Sequence, residues 1–225
     1  MGKGVSLALG TAGAGGLGAG GLMALKPWQS DSPEKSKVVT SIREKYAVAL
    51  LNTKEDSEIW GKKYTALGTY SPHNPILRDA ASKKTGSSPN EGTIKQLLKE
   101  GCEAIYSSDA NDPNNFSDFK ALCSKTNEDA TGTGKNWVTD EPSSSTSNKW
   151  DTVLTTLKNH ETTNKWALDS VLSALKEEIK SDSNTFSQEK RTKLKNWCNS
   201  IKSEVFLGAE SAEFKSQEEF CKVTG

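Results

Sequence analysis

Apolar side chains recur along most of this chain at spacings of three and four residues, the period of an amphipathic helix. Such stripes occupy residues 38–51, 53–67, 88–105, 116–123, 150–157, 166–179 and 193–201, and a last short helix is expected from Ser216. Segments rich in Gly, Pro, Ser and Asn separate them. No segment shows the alternation of apolar and polar residues that predicts a half-buried strand. The pattern therefore predicts an all-α body.

The first 26 residues follow a different pattern, because residues 5–25 carry no charged side chain. A helix of that length reaches about 31 Å, close to the roughly 30 Å of a membrane's hydrocarbon core. The expected anchor residues, its strongly apolar positions, are Val5, Leu7, Leu9, Leu17, Leu22, Met23 and Leu25. Gly and Ala fill most of the remaining positions, so three interpretations stay open. The segment is an uncleaved transmembrane anchor, a cleaved secretory signal, or a Gly/Ala-rich tail that meets no membrane.

The glycines of this segment also predict a contact between helices. Gly16 and Gly20 are four residues apart, and this small-xxx-small spacing lets two membrane helices approach closely. Self-association through the N-terminal segment is therefore one expected contact of the chain.

Composition divides the rest of the chain into four segments. Residues 27–37 form a polar linker, 38–125 a first helical unit, 126–149 a low-complexity linker, and 150–225 a second helical unit. Leu97–Ile105 and Lys193–Ile201 resemble each other, since each has a Leu-Lys pair, a Cys three residues later and an Ile three further on. We therefore expect two diverged helix-loop-helix units related as a tandem repeat.

The cysteines are even in number: Cys102, Cys123, Cys198 and Cys221. Four cysteines allow three pairings, and the repeat favours one disulfide per unit, Cys102–Cys123 and Cys198–Cys221. This interpretation requires an oxidising compartment, because in the cytosol the same residues would be free thiols. Metal binding is not expected, since the chain has no CxxC motif and only two histidines.

Charge and motifs give little sign of chemistry. The chain has 29 basic and 29 acidic residues, so no basic field exists to hold a nucleic acid, and none is expected as a partner. Ala130–Val138 approaches a phosphate loop, but Asp129 replaces its first Gly and Asn136 its last Ser or Thr. A calcium-like loop from Asp109 has Lys120 in place of the bidentate Glu. The sequence therefore predicts no catalytic residue, no cofactor and no enzyme activity.

Trp137 differs from the other tryptophans of the body. It lies in the polar linker with no helical stripe to join. Tryptophans are enriched among the residues that dominate binding interfaces. Trp137 is therefore the candidate for an exposed contact.

Several features together resemble a known family. They are the Gly/Ala-rich N-terminal segment, the helix Ile42–Leu51, the Trp60-x-x-Lys63-Tyr64 pair and the late sequence Lys195–Cys198. This layout is similar to that of the paralogous proteins of haemotropic mycoplasmas, and it covers most of the chain, although its motifs are short. The resemblance implies a surface-exposed protein that helps a parasite vary the face it shows its host. It supplies no catalytic residue.

The features combine into one hypothesis. We expect a membrane-anchored protein with a single N-terminal span and an extracellular body, acting as a non-catalytic antigen or host-contact module. Its partners would be the membrane and a host surface component. The alternatives are a scaffold protein on the cytoplasmic side of the membrane and an anchored hydrolase with a site between the units.

The orientation of the body stays open. Lys3 precedes the apolar segment, whereas Lys26, Lys35 and Lys37 come after it, which by count favours a body on the inside. Short N-terminal segments with a basic start nevertheless commonly export the polypeptide attached to them, and paired cysteines suit the outside.

Overall fold

The structure of the chain is a computed structural model that describes residues 39–144 and 147–224. These residues belong to one compact unit, Val38–Gly225. Within them nine α-helices and two short strands confirm the predicted all-α class. The expected membrane segment, residues 1–26, and the linker after it lie outside the described residues. Among the helices described, none has the length and apolar character needed to cross a membrane.

The first half of the body, residues 39–124, contains five of these helices. They are α1 (Ile42–Lys45), α2 (Ser57–Ala66), α3 (Pro75–Thr85), α4 (Glu91–Tyr106) and α5 (Pro113–Asp118), with a 3₁₀ turn at Ala47–Ala49 and a π-helical turn at Phe119–Cys123. Side-chain caps set several starts. Asn74 accepts the backbone N–H groups of Ile76 and Leu77, and Pro75 occupies the first helical position. This cap begins α3, a helix that the apolar pattern did not predict.

The second half, residues 125–224, contains the remaining helices and both strands. They are β1 (Asn136–Trp137), α6 (Lys149–Lys158), α7 (Ser170–Ile179), α8 (Gln188–Lys202), α9 (Ala212–Phe220) and β2 (Lys222–Val223). β1 pairs antiparallel with β2, so Trp137 lies opposite Lys222. Two-residue strands are too short to produce a period-two pattern, which is why the sequence did not predict them.

Several helix starts differ from the prediction. The stripe over residues 38–51 forms only the short α1 and a 3₁₀ turn, and α2 begins at Ser57, not directly after Thr53. The stripe from residue 166 predicted a helix there, but α7 begins at Ser170 because the Asp169 side chain accepts the N–H of Leu172 at 2.8 Å. Trp166 therefore lies in the turn before the helix. The last helix begins at Ala212, capped by Ser211, and not at Ser216.

Each half has its own hydrophobic core. The first cluster consists of buried residues between Ile42 and Cys123 together with Val205 from the second half. The second cluster runs from Val138 to Cys221 and is centred on the buried faces of α6, α7 and α8. Val205 is thus the residue through which the second half reaches the first core.

The backbone contacts of the two halves repeat in register. Ser41 lies opposite Asp109, and Thr126 lies opposite Val205; both partners stand seven residues after the first cysteine of the respective pair. The residue after each second cysteine is bridged as well, Ser124 to Leu50 and Lys222 to Trp137. The order of helices between these bridges is also the same, with α2, α3 and α4 matched in the second half by α6, α7 and α8.

Candidate functional site

The cysteines lie in the pairs that their spacing predicts. Cys102 of α4 is bonded to Cys123, and Cys198 of α8 is bonded to Cys221, each with an S–S distance of 2.00 Å. Each bond joins the long helix of its half to the residue just before a backbone bridge, which Ser124 forms in the first half and Lys222 in the second. All four residues are buried in the cores. The disulfides therefore close loops of 21 and 23 residues inside the protein, away from solvent.

Tyr106 connects the first disulfide to the backbone bridge beside it. Its hydroxyl donates to the carbonyl oxygen of Cys123 at 2.7 Å and accepts the backbone N–H of Leu51 at 3.2 Å. The side chain is 1% exposed. Burial raises the pKa of Tyr106 to about 12, and the hydrogen bond from Leu51 opposes that rise only in part. The tyrosine thus remains protonated and links α4 to both backbone segments of the bridge between Leu50 and Ser124.

The second half closes the same bridge without a tyrosine. The N–H of Val138 donates directly to the carbonyl oxygen of Cys221 at 3.0 Å. The position four residues after Cys198, which corresponds to Tyr106, is Lys202. Its Nζ lies 4.0 Å from the centroid of the Trp137 ring, a cation–π distance.

Trp137, the candidate exposed contact, is half-buried. It sits in β1, packs against the second core, and has Lys202 on its ring, with Lys222 Nζ at 5.8 Å. Most of the ring is therefore in contact with other residues of the protein. Only its remaining exposed part is available to a partner.

Residues 125–131, here called the connector, join the two halves. The N–H of Asn127 donates to Glu204 and that of Phe206 donates to Lys125, both at 3.0 Å. Asn127 is fully buried, and its Nδ2 donates to the carboxylate of Glu213 at 2.6 Å. Burial raises the pKa of Glu213, partly offset by that hydrogen bond. The start of the predicted low-complexity linker is therefore packed between the halves.

The connector also lies along α2. Lys125 Nζ is 3.1 Å from Asp56 Oδ1 at the start of that helix, and Lys62 Nζ in its middle is 2.7 Å from Asp129 Oδ1. Burial acts to raise the pKa of Asp129, but the hydrogen bonds from Lys62 and Thr126 outweigh it and hold that pKa below its usual value. A short acidic turn is thus held on the surface of α2.

The two histidines lie where hydrogen bonds hold backbone segments together. His73 and its neighbour Asn74 donate their backbone N–H groups to the buried carboxylate of Asp118, at 2.9 and 2.7 Å respectively for Oδ2. His160 is fully buried, with Nε2 at 2.9 Å from the carbonyl oxygen of Trp166. In the part of the chain that the structure describes, no group of three His, Cys, Asp or Glu side chains is arranged to hold a metal ion.

A surface cleft of about 420 Å³ lies beside α6. We call it the α6 cleft; its walls include Lys135, Lys149, Thr152, Val223 and Thr224. Lys135 and Lys149 are exposed. The sequence did not predict this cleft, because its walls come from separate segments that only the fold brings together.

Comparison with protein-family models, with curated proteins and with solved structures finds no match to this chain. The resemblance to the mycoplasma paralogues therefore stays a prediction.

Proposed function

We propose that this chain is a disulfide-stabilised contact module displayed on the outer face of a cell membrane, with its N-terminal segment as the anchor. The observation that carries the proposal is the pair of buried disulfides, one in each half. Disulfides form and persist in oxidising compartments and are rare in the cytosol. A body that depends on two of them belongs outside the cytoplasm.

The repeated register supports a finer description of the body as two diverged copies of one unit. Matching caps add to the matching bridges. Ser41 and Glu44 form a capping box, in which each side chain accepts the backbone N–H of the other residue, and Thr126 and Asp129 form the same two bonds. Each unit contains more than the helix-loop-helix expected from sequence, since α2 and α3, or α6 and α7, precede the disulfide-bearing helix. Duplication would give one protein two related surfaces, which suits a contact role.

A role in host contact fits a variable, surface-exposed family of the kind that the sequence resembles. The body would then meet a host surface component, and the N-terminal segment would meet the membrane. We treat the module as non-catalytic, because its buried carboxylate Asp118 and its buried His160 are both engaged in holding backbone segments.

Surface labelling tests the location. Intact cells that express the protein are treated with a membrane-impermeant biotin reagent that reacts with lysines, and lysed cells serve as the control. We expect the body to be labelled before lysis. Mass spectrometry of a non-reduced digest should then recover peptides that link Cys102 to Cys123 and Cys198 to Cys221.

The alternative, a scaffold on the cytoplasmic side, predicts the opposite pair of results. A body that is protected until lysis, with four free thiols, would overturn the proposal in favour of that scaffold.

A further inference from the structure

We propose that the α6 cleft is a docking groove for a short acidic peptide segment of a partner protein. This inference names the contact surface of the module and so rests on the function proposed above. It starts from α2, the helix of the first half that corresponds to α6, where the connector already lies on the helix surface. The connector contains the acidic residues Glu128 and Asp129. It is held on α2 by two ion pairs, Lys62 with Asp129 and Asp56 with Lys125.

The repeat places the α6 cleft at the position that corresponds to this covered face. Trp60 of α2 and Trp150 of α6 are both buried, and each donates its ring N–H to a backbone carbonyl upstream of its helix. Lys62, which binds the connector, lies two residues after Trp60. Thr152, which lines the cleft, lies two residues after Trp150.

The strand side of the cleft corresponds in the same way. Ser124 and Lys222 each come directly after the second cysteine of their half and are bridged to an upstream residue. The connector starts directly after Ser124 and covers α2. Val223 and Thr224, directly after Lys222, instead form one wall of an open cleft. Among the described residues, no segment lies on the α6 face in the way that the connector lies on α2.

The charges around the α6 cleft favour an acidic occupant. Lys135 and Lys149 are exposed, and neither forms an ion pair with a described residue, although Lys135 Nζ donates to the carbonyl oxygen of Glu218 at 3.3 Å. Glu219, the one carboxylate in the wall, is 2.5 Å from Lys165 Nζ and so is already neutralised. Lys222 is buried and held by Glu218 at 3.0 Å. The unpaired charge that faces the groove is therefore positive.

The dimensions of the groove suit a short peptide. A volume of about 420 Å³ lies within the range of about 300–1,000 Å³ that is usual for binding clefts. The hydroxyls of Thr152, Thr156 and Thr224 add hydrogen-bonding groups along the walls. Such groups can pair with the backbone of a short segment while the lysines bind its carboxylates.

A labelled peptide tests the proposal on the full chain. The probe has the sequence of residues 126–131, Thr-Asn-Glu-Asp-Ala-Thr, with both ends blocked, and its binding is measured by fluorescence anisotropy. We expect saturable binding that weakens as salt is raised from about 0.05 to 0.5 M. The double variant Lys135→Glu/Lys149→Glu should weaken binding about tenfold, because it replaces two attractions by repulsions.

The matched control is Lys45→Glu/Lys54→Glu, which reverses two exposed lysines away from the cleft. We expect it to leave the affinity unchanged. Equal weakening by both double variants, or equal binding of a peptide with Gln and Asn in place of Glu and Asp, would overturn the proposal. Absence of saturable binding would also overturn it. None of these results changes the outcome of surface labelling, so the docking groove and the location of the body fail separately.

Discussion

Replacing Tyr106 by Phe removes a single hydroxyl from the bridge beside the first disulfide. That hydroxyl pairs with the Leu51 N–H and the Cys123 carbonyl oxygen, both buried. A buried backbone group left unpaired costs about 1–3 kcal/mol. The two freed groups face each other across the bridge, and in the second half their counterparts bond directly at 3.0 Å. Partial closure of this kind should limit the total loss to about 1–3 kcal/mol.

Urea unfolding of the oxidised protein, followed by circular dichroism, measures this loss. We expect a lower midpoint with an unchanged m-value, and a melting temperature lower by about 2–4 °C for each kcal/mol. Tyr46→Phe is the matched control, because its ring packs against Phe119 in the same core and its hydroxyl has no hydrogen-bond partner among the described residues. A loss below about 0.5 kcal/mol, or an equal loss in the control, would refute the reasoning.

The pH dependence of stability in alkaline solution provides a second test of the Tyr106 hydroxyl. The pKa of Tyr106 is raised to about 12 in the folded protein, against about 10 for an unfolded tyrosine. The unfolded chain therefore loses this proton first, and the folded state loses relative stability as pH rises from 10 towards 12. Below pH 10 the contribution is complete. The advantage of the native protein over Tyr106→Phe should shrink by about 1.4 kcal/mol per pH unit in that window.

Three further substitutions test the packing, each by thermal or urea unfolding. Gly101→Ala should destabilise by about 1–3 kcal/mol, since a Cβ there would lie 2.5 Å from Leu77 Cδ2; an unchanged protein would contradict this close approach. Asp151→Ala should cost about 3–5 kcal/mol, because it leaves the buried guanidinium of Arg191, now paired at 2.7 Å, without its carboxylate. Lys63→Met should raise stability by roughly 1 kcal/mol, since burial lowers the pKa of Lys63 and signals a desolvated charge. A loss of stability there would show that the ammonium is needed.

Sequence patterns predicted the parts of this fold that depend on local spacing. The long helices α4 and α8 carry wide apolar stripes. The cysteine of each helix precedes its partner cysteine by a similar number of residues, 21 in the first half and 23 in the second. Both features are visible without the fold. The helix α3 was missed because its stripe is narrow, with only Leu77 and Ala80 buried. Its one local signal, Asn74 before Pro75, was interpreted as part of a turn.

Features that depend on distant partners could not be predicted. Asn127 lies in a polar stretch that composition identifies as a linker, yet it is fully buried, because Glu213 and the carbonyl of Ile201 supply its partners. Trp137 was expected to be exposed because no helix could accommodate it. Its strand and its lysine neighbours become visible only once Lys222 is placed opposite it.

The two halves differ most where a shared backbone contact is completed by a different side chain. In the first half Tyr106 inserts its hydroxyl between two backbone groups that the second half joins directly. The second half has Lys202 at that position, where it covers the Trp137 ring and approaches Glu128 of the connector at 3.9 Å. Lys202 thus holds Trp137 and the connector in place, at the position where Tyr106 closes the bridge in the first half. Different side chains at such corresponding positions give each half its own contacts while the disulfide and the order of the helices stay the same.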